Sequence, residues 1–145
     1  LVPRILNQHP TQLNNVPKFS VVIVGGGAAG ISVASSLLSR EPNLDIAVID
    51  PAEIHYYQPG WTMVGGGIFA PEKTVRTMAS LIPKQVQWIK AAVAAFDPDN
   101  KQVLLEGCKP INYEVLVVCP GLKLNWHGIE GLVETLRRLS ARFKS

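Results

Sequence analysis

The sequence has 145 residues, of which 47% are hydrophobic and 17% charged. These values are typical of one globular domain with a substantial core, and they exclude a disordered chain. No apolar run reaches the roughly 20 residues that a membrane-spanning helix needs. The formal net charge of +3 comes from the last nine residues, which contain four basic and no acidic side chains. The charge therefore does not indicate a nucleic-acid-binding surface, and we expect no nucleic-acid partner.

The chain begins with a polar segment, residues 1–18, which contains three prolines, three asparagines and no acidic residue. It shows neither a helical nor a strand period, so we expect a flexible lead-in. It lacks the apolar core of a secretory signal. The absence of acidic residues is also compatible with the remnant of an organelle transit segment.

A buried strand followed by a glycine turn is predicted next. Residues 21–24 are all β-branched and apolar, which suits a strand covered on both faces. Gly25, Gly27 and Gly30 follow in GxGxxG spacing. The first glycine permits a tight turn, the second lets the backbone approach a pyrophosphate, and the third lets the next helix pack closely. That helix, predicted over residues 28–40, would direct its amino-terminal N–H groups at the phosphates.

A second strand is predicted over residues 45–50, and it ends in Asp50, twenty positions after Gly30. A carboxylate at this strand end can accept both hydroxyls of an adenosine ribose and would repel a 2′-phosphate. The complete pattern therefore favours FAD or NAD over NADP. The alternative is a glycine-rich surface turn followed by an unrelated acidic strand end.

Residues 51–67 form an unusual loop, because they combine Tyr56, Tyr57 and Trp61 with a glycine triplet. Loops are usually polar, whereas aromatic side chains seek burial. We expect a flat ligand to lie against this segment. The alternative is that the three aromatic side chains simply cover the sheet.

A helix and a β-hairpin are predicted between residues 74 and 106. Apolar residues recur at helical spacing over residues 74–82, and Pro83 ends the pattern. Residues 86–96 are then predicted to be extended, with a turn at 97–101 and a return strand at 102–106.

The last predicted strand covers residues 115–118, with residues 111–114 leading into it, and it ends at Cys119. Cys108 lies in the turn before it. The two cysteines have no CxxC spacing or histidine cluster, so we expect free thiols in a reducing compartment and no metal site.

Together these features resemble the FAD domain of flavoproteins that have two dinucleotide-binding domains. Residues 55–67, 80–83 and 88–90 are similar to the sulfide:quinone oxidoreductase family, and the resemblance extends over residues 19–136. It implies an α/β, Rossmann-like FAD-binding domain with three layers, a mostly parallel sheet and a β-hairpin insertion. Residues 137–145 form a basic tail that does not resemble the family.

The resemblance also implies which residues bind the cofactor. Asp50 would bind the adenosine ribose, Gln58 would approach the flavin, and Val93 would offer its backbone to the adenine. Gly121 belongs to the turn 119–121, which touches FAD in related flavoproteins. The residues implied for the pyrophosphate are Gly25, Gly27, Ala28, Ala29 and Gly30.

The family's reaction is the oxidation of sulfide, with electrons passing through FAD to a membrane quinone. Its redox-active cysteines and quinone pocket lie downstream of the matched region, so we expect a truncated member that has no catalytic residue and no turnover by itself. Cys119 would occupy a structural turn rather than react with sulfide.

In the family, the membrane-facing region also lies downstream of the matched residues. By resemblance, the complete protein would lie peripherally on the bacterial cytoplasmic membrane or the mitochondrial inner membrane, and we expect self-association of the short chain. The alternatives are a type II NADH:quinone dehydrogenase-like flavoprotein, which the loop 58–67 disfavours, and a non-catalytic FAD-binding remnant.

Overall fold

The computed structural model describes residues 16–123 and 125–135. Most of the predicted lead-in, residue 136 and the basic tail 137–145 lie outside the described residues. The domain boundaries at 19 and 136 and the character of the tail therefore stay predictions.

The described residues form eight strands, with helices between the first and second, between the third and fourth, and between the fourth and fifth. The strands are β1 (Lys18–Val24), β2 (Ile46–Ile49), β3 (Ile54–Tyr56), β4 (Val75–Thr77), β5 (Gln87–Ile89), β6 (Val93–Asp97), β7 (Gln102–Leu105) and β8 (Ile111–Val118). The helices are α1 (Ala28–Arg40), α2 (Trp61–Gly65) and α3 (Met78–Leu81). Single 3-10 turns occur at Gln58–Gly60, Pro71–Thr74 and Trp126–Gly128.

Six strands form the main sheet in the order β5-β2-β1-β8-β7-β6. The pairs β5/β2, β2/β1 and β1/β8 are parallel, whereas β8/β7 and β7/β6 are antiparallel. In register, Val24 lies between Ile49 and Val118. The carboxyl ends of β1, β2 and β8 therefore meet at one edge, which is where doubly wound sheets bind ligands. The mostly parallel, Rossmann-like sheet and the β6–β7 hairpin confirm the predicted fold class.

Helix α1 covers one face of the parallel strands. Its buried Ala34 and Leu38 pack against Val21, Ile23 and Val48. Ala34 and Leu38 are four positions apart, so they lie on the same side of the helix, and Val21 and Ile23 share one face of β1 because their spacing is two. The β-branched run thus correctly predicted the buried strand.

The β6–β7 hairpin closes the opposite face. Val22, Val24 and Ile49 point away from α1 and pack in one cluster with Val103 and Leu105 of β7. Helix, parallel strands and hairpin thus form the three expected layers, and both faces of β1 and β2 are buried.

The predicted helix over residues 74–82 is wrong for most of its length. Residues 75–77 form β4, which pairs antiparallel with β3, and only Met78–Leu81 is helical. Thr74, Val75 and Thr77 are β-branched, which lowers their helix propensity and suits a strand once a partner is available. The apolar spacing alone did not reveal that partner.

The predicted extended segment 86–96 is two strands rather than one. The Ala91 amide donates a hydrogen bond of 3.0 Å to the Ile89 carbonyl oxygen, so the chain turns sharply there. Consequently β5 pairs with β2 at one edge of the sheet, and β6 pairs with β7 at the other.

Strand β8 is hydrogen-bonded over most of its length to β1 but only at its beginning to β7. It pairs with β1 as far as Val118, but β7 pairs with it only at Ile111 and Asn112. Val115 and Val118 are accordingly more than half exposed. In the described part of the chain, no helix has the length and apolarity to cross a membrane.

Candidate functional site

The candidate site lies where three parallel strands end together. The Gly25 amide donates to the Ile49 carbonyl oxygen at 2.9 Å, and the Cys119 amide donates to the Val24 carbonyl oxygen at 2.8 Å. These bonds continue the strand ladders one residue past the ends of β1 and β8. They fix the glycine turn, the end of β2 and the 119–121 turn side by side.

Two glycines allow the helix to begin directly on top of the strand. Gly25 has φ +102°, and a Cβ there would collide with the Cys119 carbonyl oxygen. A Cβ at Gly30 would collide with the Gly25 carbonyl oxygen. The tight turn expected at the first glycine of the motif and the close packing expected at the third are therefore both present.

The amino end of α1 is open toward solvent. Its N-cap residue is Gly27, no side chain caps it, and its first turn contains no acidic residue. The first N–H groups of a helix have no partner within the helix, and together with the helix dipole they attract an anion. A Cβ at Gly27 would meet no atom within 4 Å. A phosphate could occupy that space.

Asp50 directly follows β2 and is held by its neighbours. Its Oδ2 accepts a hydrogen bond of 2.6 Å from the Gly26 amide, and its Oδ1 accepts one of 2.8 Å from the Ala52 amide. A carboxylate has about four lone-pair positions. Each oxygen of Asp50 can therefore still accept a hydroxyl group.

A cleft of about 460 Å³ opens beside these groups. This volume is within the usual range for ligand sites. Its lining brings together five of the predicted site residues, which are Gly27, Ala28, Asp50, Gln58 and Gly121. Residues from β3 and from the loop after it complete the wall.

Two of the three aromatic side chains of the loop, those of Tyr56 and Tyr57, lie at this cleft. Tyr56 and Tyr57 line it and are 52% and 53% exposed. Trp61 is 43% exposed, and its ring lies edge-to-face with Tyr56 at 6.4 Å between centroids. The alternative that these rings cover the sheet is wrong, because about half of each remains exposed.

The remaining predicted site residues lie outside the cleft lining. Gly25 and Gly30 form the packed turn beneath it, and Ala29 is an exposed residue of the first turn of α1. Val93 lies on β6, where it is partly buried against the core. Its backbone contact with adenine stays a prediction.

A second depression, of about 860 Å³, lies at the opposite edge of the sheet. Its lining includes Lys18 and Asn112, at the amino ends of β1 and β8, and Lys101 of the hairpin turn. It is wide and open, and ligands of doubly wound sheets bind at the carboxyl ends of the strands. The smaller cleft is therefore the candidate site.

Several contributors to the site were not predicted from the sequence. Met78 and Leu122 line the cleft, and the Trp88 indole N–H donates to the Asp50 carbonyl oxygen at 2.9 Å. Met78 had the spacing of an ordinary core residue. The Trp88 contact joins residues 38 positions apart, so no local pattern could have revealed it.

The two cysteines occupy different environments. Cys108 is exposed, whereas Cys119 is half-buried, with its Sγ 3.7 Å from the Gly25 carbonyl oxygen. Burial raises the pKa of the Cys119 thiol. They lie at opposite ends of β8, whose eight residues span on the order of 25 Å. That distance is far beyond the reach of a disulfide.

No cluster of three or more His, Cys, Asp or Glu side chains that could hold a metal ion occurs within residues 16–123 and 125–135.

We expect the two thiols to differ in reactivity. Since Cys119 is half-buried and its raised pKa leaves less thiolate at a given pH, Cys119 should react with iodoacetamide more slowly than the exposed Cys108 at pH 8. Mass spectrometry after timed labelling of the folded chain measures both rates, and unfolding in urea should make them equal. Rapid labelling of Cys119 in the folded chain, or a cyanide-reactive persulfide on either cysteine, would contradict this assignment.

Comparison with known proteins adds independent information. The model of the pyridine nucleotide-disulphide oxidoreductase family matches residues 19–143. The mitochondrial sulfide:quinone oxidoreductase of Dictyostelium discoideum is 47% identical over 126 residues, which are 86% of this chain and 27% of that protein. The corresponding mouse protein is 38% identical over 116 residues, 80% of this chain and 26% of that protein.

A solved structure shows the same likeness. The sulfide:quinone oxidoreductase of the bacterium Aquifex aeolicus superimposes with a TM-score of 0.70 at 27% identity, covering 90% of this chain and 33% of that one. The chain thus spans about a quarter to a third of the length of these proteins. The resemblance predicted from the sequence is confirmed.

Proposed function

We propose that this chain, which belongs to the pyridine nucleotide-disulphide oxidoreductase family, is the FAD-binding portion of a flavoprotein of the sulfide:quinone oxidoreductase type. One observation carries the proposal. The uncapped amino end of α1, the open space at Gly27 and the carboxylate of Asp50 border a single cleft at the carboxyl edge of the sheet.

The residues present fit the adenosine diphosphate half of FAD. The N–H groups at the start of α1, with Gly27 and Ala28, would hold the pyrophosphate, because they combine free donors with the positive end of the helix dipole. Asp50 would accept the ribose hydroxyls with the lone pairs that the Gly26 and Ala52 amides leave free.

The flavin supplies the electron-transfer chemistry once it is bound, and the chain supplies binding and orientation. Gln58 and the exposed rings of Tyr56 and Tyr57 line the same cleft as Gly27, so they are the residues available to contact the cofactor beyond its pyrophosphate. Gly25 and Gly30 act indirectly, since their close packing holds the start of α1 against the end of β1.

The activity of the complete protein follows from the relatives and is part of the proposal. They are named for sulfide and quinone, so we propose that sulfide is oxidised and that electrons pass through FAD to quinone. Two of them are mitochondrial, which supports a mitochondrial location in a eukaryote, and a third is bacterial. We propose that the complete protein lies peripherally on the mitochondrial inner membrane or on the bacterial cytoplasmic membrane. The membrane contact would come from sequence beyond this chain.

A cofactor titration tests the proposal. The chain should bind FAD in preference to NADP, because the Asp50 carboxylate would repel a 2′-phosphate. Asp50→Ala should weaken FAD binding by roughly 1–3 kcal/mol through loss of charge-assisted hydrogen bonds. Flavin fluorescence and isothermal calorimetry measure the two affinities.

The matched control for this titration is Asp99→Ala. Asp99 is also an exposed carboxylate, but it lies in the hairpin turn at the opposite edge of the sheet. FAD affinity should be unchanged in that variant. Preferential binding of NADP by the wild-type chain would contradict the proposal.

Two observations would distinguish the proposed function from its alternatives, a non-catalytic remnant and a type II NADH:quinone dehydrogenase-like flavoprotein. A chain purified without yellow colour that takes up no added FAD would be a remnant that does not bind the cofactor. Reduction of quinone by NADH, but not by sulfide, in the complete protein would identify an NADH:quinone dehydrogenase instead.

A further inference from the structure

Two hydrogen bonds to residues of β5 hold the backbone of Asp50 in place. Its backbone amide donates to the Ile89 carbonyl oxygen at 3.1 Å, and its carbonyl oxygen accepts from the Trp88 indole N–H at 2.9 Å. Both polar groups of this backbone unit are thus tied to β5. Because Trp88 is partly buried, the hydrogen bond to Asp50 is shielded from water and is harder to replace by solvent.

The indole ring itself is held in place. The Lys90 Nζ lies 4.4 Å from the centroid of the Trp88 ring and 2.9 Å from Oε1 of Glu53. The hydrogen bond and charge of Lys90 lower the pKa of Glu53, which favours the ionised carboxylate that accepts this hydrogen bond. The Glu53 carbonyl oxygen accepts a hydrogen bond from the Met78 amide at 2.8 Å, which anchors the segment after Asp50 to the start of α3.

These contacts limit how the Asp50 carboxylate can move. The carboxylate accepts hydrogen bonds from the Gly26 and Ala52 amides. The backbone of Asp50 is hydrogen-bonded to residues of β5. Rotation of the peptide unit after Asp50 would move the Ala52 amide and so remove the hydrogen bond that this amide donates to the Asp50 carboxylate. The Trp88 N–H opposes that rotation.

We infer that Trp88 is a positioning residue for ribose recognition: through its hydrogen bond to the Asp50 carbonyl oxygen it holds the carboxylate in the orientation that reads the 2′-hydroxyl of the adenosine ribose. This inference rests on the proposed function. Trp88 itself does not line the cleft, so it acts through Asp50.

The test compares FAD with its analogue that lacks the 2′-hydroxyl of the adenosine ribose. The wild-type chain should prefer FAD by about ten- to a hundredfold, the range expected for a hydrogen bond to a charged group. Trp88→Phe keeps an aromatic ring beneath Lys90 but removes the N–H, and it should lower this preference by roughly threefold or more. A role in stability alone would weaken both ligands equally and leave the ratio unchanged.

Trp126→Phe is the matched control, because Trp126 is 47% exposed and outside the cleft lining. In Trp126→Phe, the ratio of the affinity for FAD to that for the analogue should equal the wild-type ratio. In Asp50→Ala this ratio should be close to one. A wild-type chain that binds neither ligand would overturn the proposed function, whereas one that binds both with equal affinity would overturn this inference alone. A ratio in Trp88→Phe that equals the wild-type ratio would also overturn this inference alone.

A measurement on the wild-type chain does not depend on the folding of any variant. With ¹⁵N-labelled tryptophan, the Trp88 indole N–H should exchange with water at least about tenfold more slowly than those of Trp61 and Trp126, because it is hydrogen-bonded and partly buried. Equal exchange rates for the three indoles would show that Trp88 does not brace Asp50.

Discussion

Gly25→Ala is expected to destabilise the chain by about 3 kcal/mol or more. Two effects combine at this position. A residue with a side chain is strained at φ +102°, which costs on the order of 1–3 kcal/mol. The added methyl group would also collide with the Cys119 carbonyl oxygen, and overpacking costs typically about 1–3 kcal/mol. Because small domains are stable by only about 5–15 kcal/mol, urea unfolding should show a large shift of the midpoint.

Gly107→Ala separates the two effects. Gly107 also has a positive φ, of 65°, but a Cβ there would meet nothing within 4 Å. That variant should lose only the conformational part, on the order of 1 kcal/mol. Equal losses of stability in the two variants would show that the close contact between the glycine turn and the 119–121 turn is not present in solution.

The second large effect is an expected absence of turnover. The 145-residue chain, loaded with FAD, should not reduce a short-chain quinone with sulfide above the rate of free FAD. A sulfide-oxidising thiol pair needs two sulfur atoms within bonding reach, whereas Cys108 and Cys119 lie at opposite ends of β8. A missing nucleophile removes a reaction step rather than slowing it. Quinone absorbance under anaerobic conditions measures the rate.

If the FAD-loaded chain reduces quinone faster than free FAD does, cysteine variants show whether a thiol of this chain is responsible. Cys108→Ser and Cys119→Ser should each leave the background rate unchanged. Turnover well above the free-flavin control that disappears in either variant would place a reactive thiol in this short chain. Loss of that turnover in Asp50→Ala would show in addition that it depends on FAD held in the cleft.

The part of the fold near the glycine turn was predictable because its signals are local. The β-branched run at 21–24 predicted the second half of β1 and its end, and the helix predicted over 28–40 is α1 without change. These elements combine strong strand propensity, glycine spacing and a helical period in one continuous stretch.

The region between β2 and β6 was less predictable because its partners are distant in sequence. Residues 75–77 become a strand only by pairing with β3, some twenty residues earlier, and β5 is set apart from β6 only by pairing with β2. A three-residue strand carries too little periodicity to be distinguished from a helical turn.

The residues of the candidate site show the same difference between local signals and partners that are distant in sequence. Gly27 and Asp50 belong to a motif whose spacing is diagnostic, and the structure places both at one cleft. Gln58 and Gly121 came from family resemblance and lie at the same cleft. Trp88 had no predicted role, since its hydrogen bond to Asp50 exists only once β5 has paired with β2.

The separation of Cys108 and Cys119 by β8 has a practical consequence. A bifunctional maleimide with a spacer of about 10 Å cannot join two thiols that an eight-residue strand holds on the order of 25 Å apart. Every cross-linked product must therefore contain two chains. The amount of covalent dimer on a denaturing gel then reports encounters between copies of the chain directly, without a correction for internal cross-links.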